Sequence, residues 1–214
     1  MKILNLYACL GGNRYKWGDE HEITAVELDP ELARMYKERF PNDTVIVADA
    51  HQYLLDHYKE YEDGFVWTSP PCPTHSKARF ARHETTTTEY PDMRLYQEII
   101  FLDNYYKGKY CVENVVPFYE PLIPAKKRGR HLYWTNFNLP LILSNRKGNF
   151  MEGEKEVDKW CVFHDIDLSS YKGEQRKDKI ARNLVDYEAG LTILNTAIGI
   201  KSQGKKEQQP ITFD

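Results

Sequence analysis

The sequence predicts one α/β domain: a mostly parallel sheet covered by helices on both faces. Three observations lead there. Short β-prone runs alternate with amphipathic helical stretches from Lys2 to Thr135, the order that builds such a sheet. The 214 residues, 41% apolar, suffice for one sizeable core and are short for two. Glycines and isolated acids fall at the ends of the predicted strands, where sheets of this kind bind ligands.

Lys2 to Tyr7 reads as the first strand, and Gly11-Gly12 as a turn before a helix. Glu22 to Glu27 is the second strand, Pro30 to Phe40 a helix stopped by Pro41, and Thr44 to Val47 the third strand. Ala50 to Tyr58 continues as helix. Phe65-Val66-Trp67-Thr68-Ser69 is apolar and β-prone and ends at Pro70-Pro71, which can neither extend a strand nor enter a helix directly. Tyr90 to Tyr106 is expected as helix, Tyr110 to Val116 and His131 to Thr135 as strands. Periodicity then weakens through Leu139-Pro140-Leu141-Ile142-Leu143, a Gly-, Lys- and Glu-rich stretch to Lys159, Trp160-Cys161-Val162-Phe163, and polar sequence to Lys179. A small loop-rich insertion is expected there. Ala189 to Ile200 is apolar again and should pack back on the sheet, while Lys201 to Asp214 reads as a polar tail.

The formal charge is −3, so any polyanion partner would depend on local clusters rather than the sum. Three exist: Lys77, Arg79 and Arg82; Lys126, Lys127, Arg128 and Arg130; and Arg176, Lys177, Lys179 and Arg182. Solvated surface explains any one of them equally well. Four irregularly spaced cysteines fit reduced thiols. No run of ~18 apolar residues and no signal peptide is visible, so a soluble cytoplasmic protein without membrane contact is expected.

Two residues carry the chemistry. Cys72 is thrown onto a loop by the Pro-Pro pair, and a thiolate there is a nucleophile; His75, Lys77 and Arg79 are expected to lower its pKa. Glu113 is a lone acid in an apolar strand, costly to bury without a partner or a role. A salt bridge to Arg128 or Arg130 is its plain structural alternative. Cys72-x-x-His75 and Cys161-x-x-His164 also have ligand-like spacing, but a metal on Cys72 would remove the nucleophile, and no metal is expected.

Ser69-Pro70-Pro71-Cys72, followed about forty residues later by Glu113-Asn114-Val115, resembles the catalytic signatures of the DNA cytosine-5 methyltransferases, particularly the short forms of phages and prophages. Four further motifs agree in order. Asn5-Leu6-Tyr7-Ala8-Cys9-Leu10-Gly11-Gly12 is similar to the family's glycine-rich motif, Val26-Glu27-Leu28-Asp29 to its ribose-binding acid, and Ala48-Asp49-Ala50 to the motif that meets adenine. Lys126-Lys127-Arg128-Gly129-Arg130 is similar to the arginine motif.

The resemblance implies a Rossmann-like S-adenosyl-L-methionine-dependent methyltransferase sheet, with Tyr7, Gly11, Gly12, Glu27, Asp49 and Pro71 at the cofactor. It implies Cys72 as nucleophile, Glu113 as donor to cytosine N3, Arg130 at the cytosine carbonyl with Arg128 bracing nearby, and Ser76, Lys77, Arg79 and Lys127 on DNA. Domains then run 1–135 (catalytic), 136–182 (a reduced target-recognition-like insertion) and 183–214 (return segment and tail). The partner is double-stranded DNA with a flipped cytosine; only the segment from about Asn136 to Lys179 stands where the family usually carries a recognition domain of about 100 residues, so a short or degenerate target is expected, or else dependence on a homodimer or specificity partner. The sequence departs from the family at Cys9, where glycine is usual, and at Pro73 and Lys126, where glutamine is usual. Thr68-Ser69-Pro70-Pro71 also resembles the start of the exocyclic amino-methyltransferase signature, but Cys72 stands where those enzymes stack an aromatic ring. An inactive DNA-binding or decoy module is the alternative outside enzymes.

Overall fold

A computed structural model describes residues 1–82, 84–85, 87–144 and 155–200. Seven strands form one sheet: β1 (Lys2–Leu6), β2 (Glu22–Glu27), β3 (Thr44–Val47), β4 (Phe65–Thr68), β5 (Lys109–Val115), β6 (Lys126–Arg128) and β7 (His131–Thr135), in the order β3-β2-β1-β4-β5-β7-β6. β1 to β5 pair in parallel, whereas β7 runs antiparallel to both β5 and β6. This is the expected Rossmann-like architecture. The short edge strand β6 was not foreseen; its residues are all basic, and the sequence carries no apolar signal for it.

Alternate residues of the central strands feed two cores, as a period of two requires. Leu4, Leu6, Val66 and Val112 face Leu54 of α2 (Ala50–His57) and Leu95, Ile99 and Leu102 of α4 (Arg94–Tyr105). Ile3, Phe65, Trp67 and Cys111 face Trp17 and Ala189, Ile193 and Leu194 of α7 (Tyr187–Ala197). The apolar return segment therefore covers the second face, as expected.

Local chemistry sets the helix starts. Asp29 Oδ1 accepts from the N–H groups of Glu31 and Leu32, and Pro30 opens α1 (Pro30–Arg39). Asp49 caps α2 and Asp186 caps α7 in the same way. α4 begins at Arg94, four residues later than expected: Pro91 restrains Tyr90 to extended backbone, and Asp92 Oδ1 accepts from Arg94 N–H at 3.1 Å. The turn after Gly12 is a single 3-10 turn, Asn13–Lys16.

Within the expected insertion the chain forms α5 (Lys155–His164) and α6 (Lys177–Asn183), which weak periodicity did not reveal. Trp160, Leu168, Tyr171, Ile180 and Leu184 pack with Leu10, Leu32 and Met35 into a third cluster. Trp160 is thus part of a satellite core. Residues 145–154 and the tail from Lys201 to Asp214 lie outside the described residues. No described helix is long and apolar enough to cross a membrane.

Gly12 is where the first strand's loop meets the return segment. A Cβ there would lie 2.5 Å from the carbonyl oxygen and 2.9 Å from the nitrogen of Val185, both backbone atoms that cannot swing aside. Gly12→Ala should cost about 1–3 kcal/mol by overpacking and lower Tm by several degrees, measured by calorimetry; an unchanged Tm would mean that the 184–185 backbone gives way freely.

Candidate active site

The carboxyl ends of β1, β2, β4 and β5 open into a cleft of about 770 Å³. Tyr7, Gly12, Glu27, Asp49, Pro71, Cys72 and Glu113 all line it, so seven of the expected site residues meet there. The register explains why. Thr68 of β4 pairs with Val112 of β5, so Glu113 stands one residue beyond that level and Cys72 four residues beyond Thr68 on the neighbouring strand's loop. Asn114 Nδ2 donates to the Pro70 carbonyl at 2.9 Å and ties that loop to β5.

On the opposite side, Glu27 is buried, and its two oxygens accept from the backbone N–H groups of Cys9 (2.8 Å) and Asp29 (3.0 Å). Burial raises its pKa while those N–H groups pull it down. Each oxygen retains accepting capacity toward the cleft. Asp49 spends Oδ1 on capping α2; its Oδ2 lies 3.7 Å from Arg94 Nη1. Asp29 Oδ2 accepts from Tyr171 Oη (2.9 Å) and Gln175 Nε2 (3.0 Å), so the insertion closes over the N-terminus of α1 beside Glu27.

Cys9 has φ +48°, a left-handed backbone that favours glycine. A glycine would adopt this backbone without strain. Tyr7 shares the strain at φ +55°. Gly11, with φ +67°, does not line the cleft: a Cβ there would strike the rings of Phe40 and Tyr36 at 2.5 and 2.8 Å. Gly11 thus packs closely against the rings of Tyr36 and Phe40.

The expectation for Cys72 is corrected in its electrostatics. Burial and the Glu113 carboxylate push its thiol up to about 11, and the cations that oppose this are Lys179 and Arg130. His75 is buried and held elsewhere: Nδ1 meets Tyr119 Oη at 2.6 Å and Nε2 the Asp92 carbonyl at 3.1 Å, while burial lowers its pKa. It fixes the loop instead of activating the thiol. Arg79 pairs with Glu89 at 2.9 Å. Below its pKa a thiol's reactive fraction rises tenfold per pH unit. Alkylation of Cys72 by iodoacetamide, followed by peptide mass spectrometry, should therefore keep climbing from pH 7 to 10; a plateau near pH 8.5 would contradict the burial argument.

The remaining expected residues lie outside the cleft lining. Arg128 Nε donates to the Pro140 carbonyl (2.5 Å) and Nη2 to that of Leu139 (3.1 Å), bracing the segment after β7. Arg130 is exposed, its guanidinium carbon 5.5 Å from the Trp160 ring centre. Lys77 and Lys127 are exposed and Ser76 is half-buried, bridged to Pro117. Lys126 is turned inward to the Thr135 and Phe137 carbonyls.

Three contributors were not anticipated. His131 lines the cleft with Nε2 3.6 Å from Glu113 Oε1, a proximity set by the antiparallel β5–β7 pairing. Lys179 reaches the cleft from α6. Glu98, buried on α4, accepts from Tyr7 Oη (2.5 Å) and Thr68 Oγ1 (2.6 Å) and meets His51 Nδ1 at 2.9 Å. It ties the ends of β1 and β4 to α2 and raises the pKa of His51 through that hydrogen bond. Its one sequence signal was an acid on the apolar stripe with Leu95, Ile99 and Leu102. Among the described residues no group of three or more His, Cys, Asp and Glu side chains could hold a metal ion.

No family model and no curated protein matches the sequence. Among solved structures, a mutant of Spodoptera frugiperda DNMT2 is similar at TM-score 0.39 and 24% identity over 53% of this chain and 35% of its own. A putative DNA modification methyltransferase encoded within a prophage of E. coli is similar at TM-score 0.38 and 17% identity, over 56% and 34%. Entamoeba histolytica methyltransferase EhMeth is similar at TM-score 0.42 and 12% identity, over 72% and 60%. The chain therefore spans about a third of the first two proteins' length.

Proposed function

We propose that this protein transfers a methyl group from S-adenosyl-L-methionine to carbon 5 of a cytosine in DNA. The observation that carries the reading is the meeting of Cys72 and Glu113, from adjacent parallel strands, in the cleft whose other side holds Glu27.

The donor set fits the cofactor. The buried Glu27 carboxylate, braced by two N–H groups, suits two ribose hydroxyls, and Asp49 Oδ2 suits an exocyclic amine. When bound, S-adenosyl-L-methionine supplies an electrophilic methyl group. Cytosine C5 is too electron-poor to take it directly, and Cys72 remedies this. Its proton leaves to cleft water, Sγ bonds to C6, and the C5–C6 electron pair makes C5 nucleophilic. Glu113, in its acid form, gives its proton to N3 as charge develops there. After C5 is methylated, loss of the C5 proton to solvent restores the double bond, Sγ departs, and the N3 proton returns to Glu113. The target base must leave the helical stack to present both edges.

DNA carrying 5-fluorocytosine tests the route. Fluorine cannot leave as a proton does, so an adduct stable to denaturation should form and map to Cys72 by mass spectrometry. Methylation of the exocyclic amine would leave no adduct, and an inactive module would yield neither product nor adduct. For the cofactor side, Glu27→Ala should weaken S-adenosyl-L-methionine binding about tenfold or more, the scale of a charged hydrogen bond, with little change in DNA affinity. Calorimetry showing equal losses for both ligands would remove Glu27 from the ribose.

A further inference from the structure

A buried carboxylate ties together the middle of the cleft. In the sheet β1 stands between β2 and β4, so Tyr7, just past β1, lies between the Glu27 side and the Cys72 side and lines the cleft there. Its backbone is strained at φ +55°, a conformation that a tyrosine keeps only where its surroundings enforce it. Thr68 ends β4, four residues before Cys72, whose loop runs on into the short helix α3 (Lys77–Phe80).

Glu98 of α4 binds both residues. It is 1% exposed; Oε1 accepts from Tyr7 Oη at 2.5 Å and meets His51 Nδ1 at 2.9 Å, while Oε2 accepts from Thr68 Oγ1 at 2.6 Å. Stability alone does not call for an acid at this position. Leu95, Ile99 and Leu102 share its stripe of α4, and exchanging a buried charge for an apolar residue of similar volume is often neutral or stabilising. What the carboxylate adds is direction, since its two oxygens fix two hydroxyls at the ends of neighbouring strands. Burial and the Glu98 carboxylate raise the pKa of Tyr7, so its hydroxyl stays a donor.

We propose that Glu98 is a positioning residue for the methyl donor: it holds the Tyr7 hydroxyl and so keeps the Tyr7 ring as the cleft wall against which S-adenosyl-L-methionine packs. This rests on the cofactor reading above. Glu98 lies outside the cleft lining, so it acts through Tyr7. The Tyr7 hydroxyl is spent on Glu98, which leaves the ring as the part that meets the ligand.

Calorimetry with S-adenosyl-L-methionine, beside thermal melts of the full chain, tests this on three variants. Y7F removes the hydroxyl and keeps the ring, E98L keeps the volume and suits the apolar stripe, and E98Q keeps one carbonyl acceptor. Y7F and E98L should each weaken binding about tenfold or more, the scale of a hydrogen bond to a charged group, and E98Q should recover part of the E98L loss. Residue 98 should cease to matter once the hydroxyl is gone, so Y7F/E98L and Y7F/E98Q should bind no more weakly than Y7F. Wild-type affinity in Y7F, or in E98L with only Tm lowered, overturns the proposal while the cofactor reading stands. Losses that multiply in the double variants overturn it too. Should E98L not fold, Y7F and the E98Q pair decide the matter. If the wild type itself binds no S-adenosyl-L-methionine, the cofactor reading and the proposal fall together.

Discussion

Cys72→Ser should abolish methyl transfer to DNA, with turnover falling by ~10³-fold or more, the scale of deleting a covalent nucleophile. Serine is nearly isosteric with cysteine, but its hydroxyl is a far weaker acid and yields almost no alkoxide at neutral pH. The half-buried Cys72 side chain belongs to none of the three main hydrophobic clusters, so Tm and S-adenosyl-L-methionine affinity should hold. Transfer of radiolabelled methyl groups, measured beside a thermal melt, decides the matter. Near-normal transfer by a folded Cys72→Ser protein would eliminate the covalent route.

Glu113→Gln should lower single-turnover methylation by ~10²-fold or more, as loss of a general acid does. An amide can donate a hydrogen bond to N3 but cannot hand over a proton. Since Gln matches Glu in shape, the buried site should fold unchanged. The same substitution separates catalysis from architecture: a fall in kcat with steady KM assigns Glu113 to the reaction. A fall in Tm with unchanged turnover would make it a structural partner of His131, 3.6 Å away.

How much of this was legible in the sequence depends on the range of the interactions involved. Strand β4 ending at Pro70-Pro71, the α1 cap at Asp29 and the lone acid Glu113 are local statements, set by proline's fixed φ, an N-cap carboxylate and the cost of burying charge. They place Cys72, Glu113 and Glu27 at or just beyond strand ends, and parallel register brings them together. Gly11 and Arg128 lie outside the cleft lining, because a motif names residue types, not the direction a side chain takes.

Only tertiary structure turned His75 away from Cys72, brought Lys179 from α6 to the cleft, and gathered Tyr7, Thr68 and His51 around Glu98. The physical reason is that propensity and spacing act over a few residues. The field at a thiol depends instead on charges and burial supplied from positions more than a hundred residues apart in the chain, as Lys179 is from Cys72. The sequence determined the strand order's ingredients and the placing of Cys72 and Glu113 at strand ends; packing alone decided the thiol's proton affinity and the walls of the cleft around it.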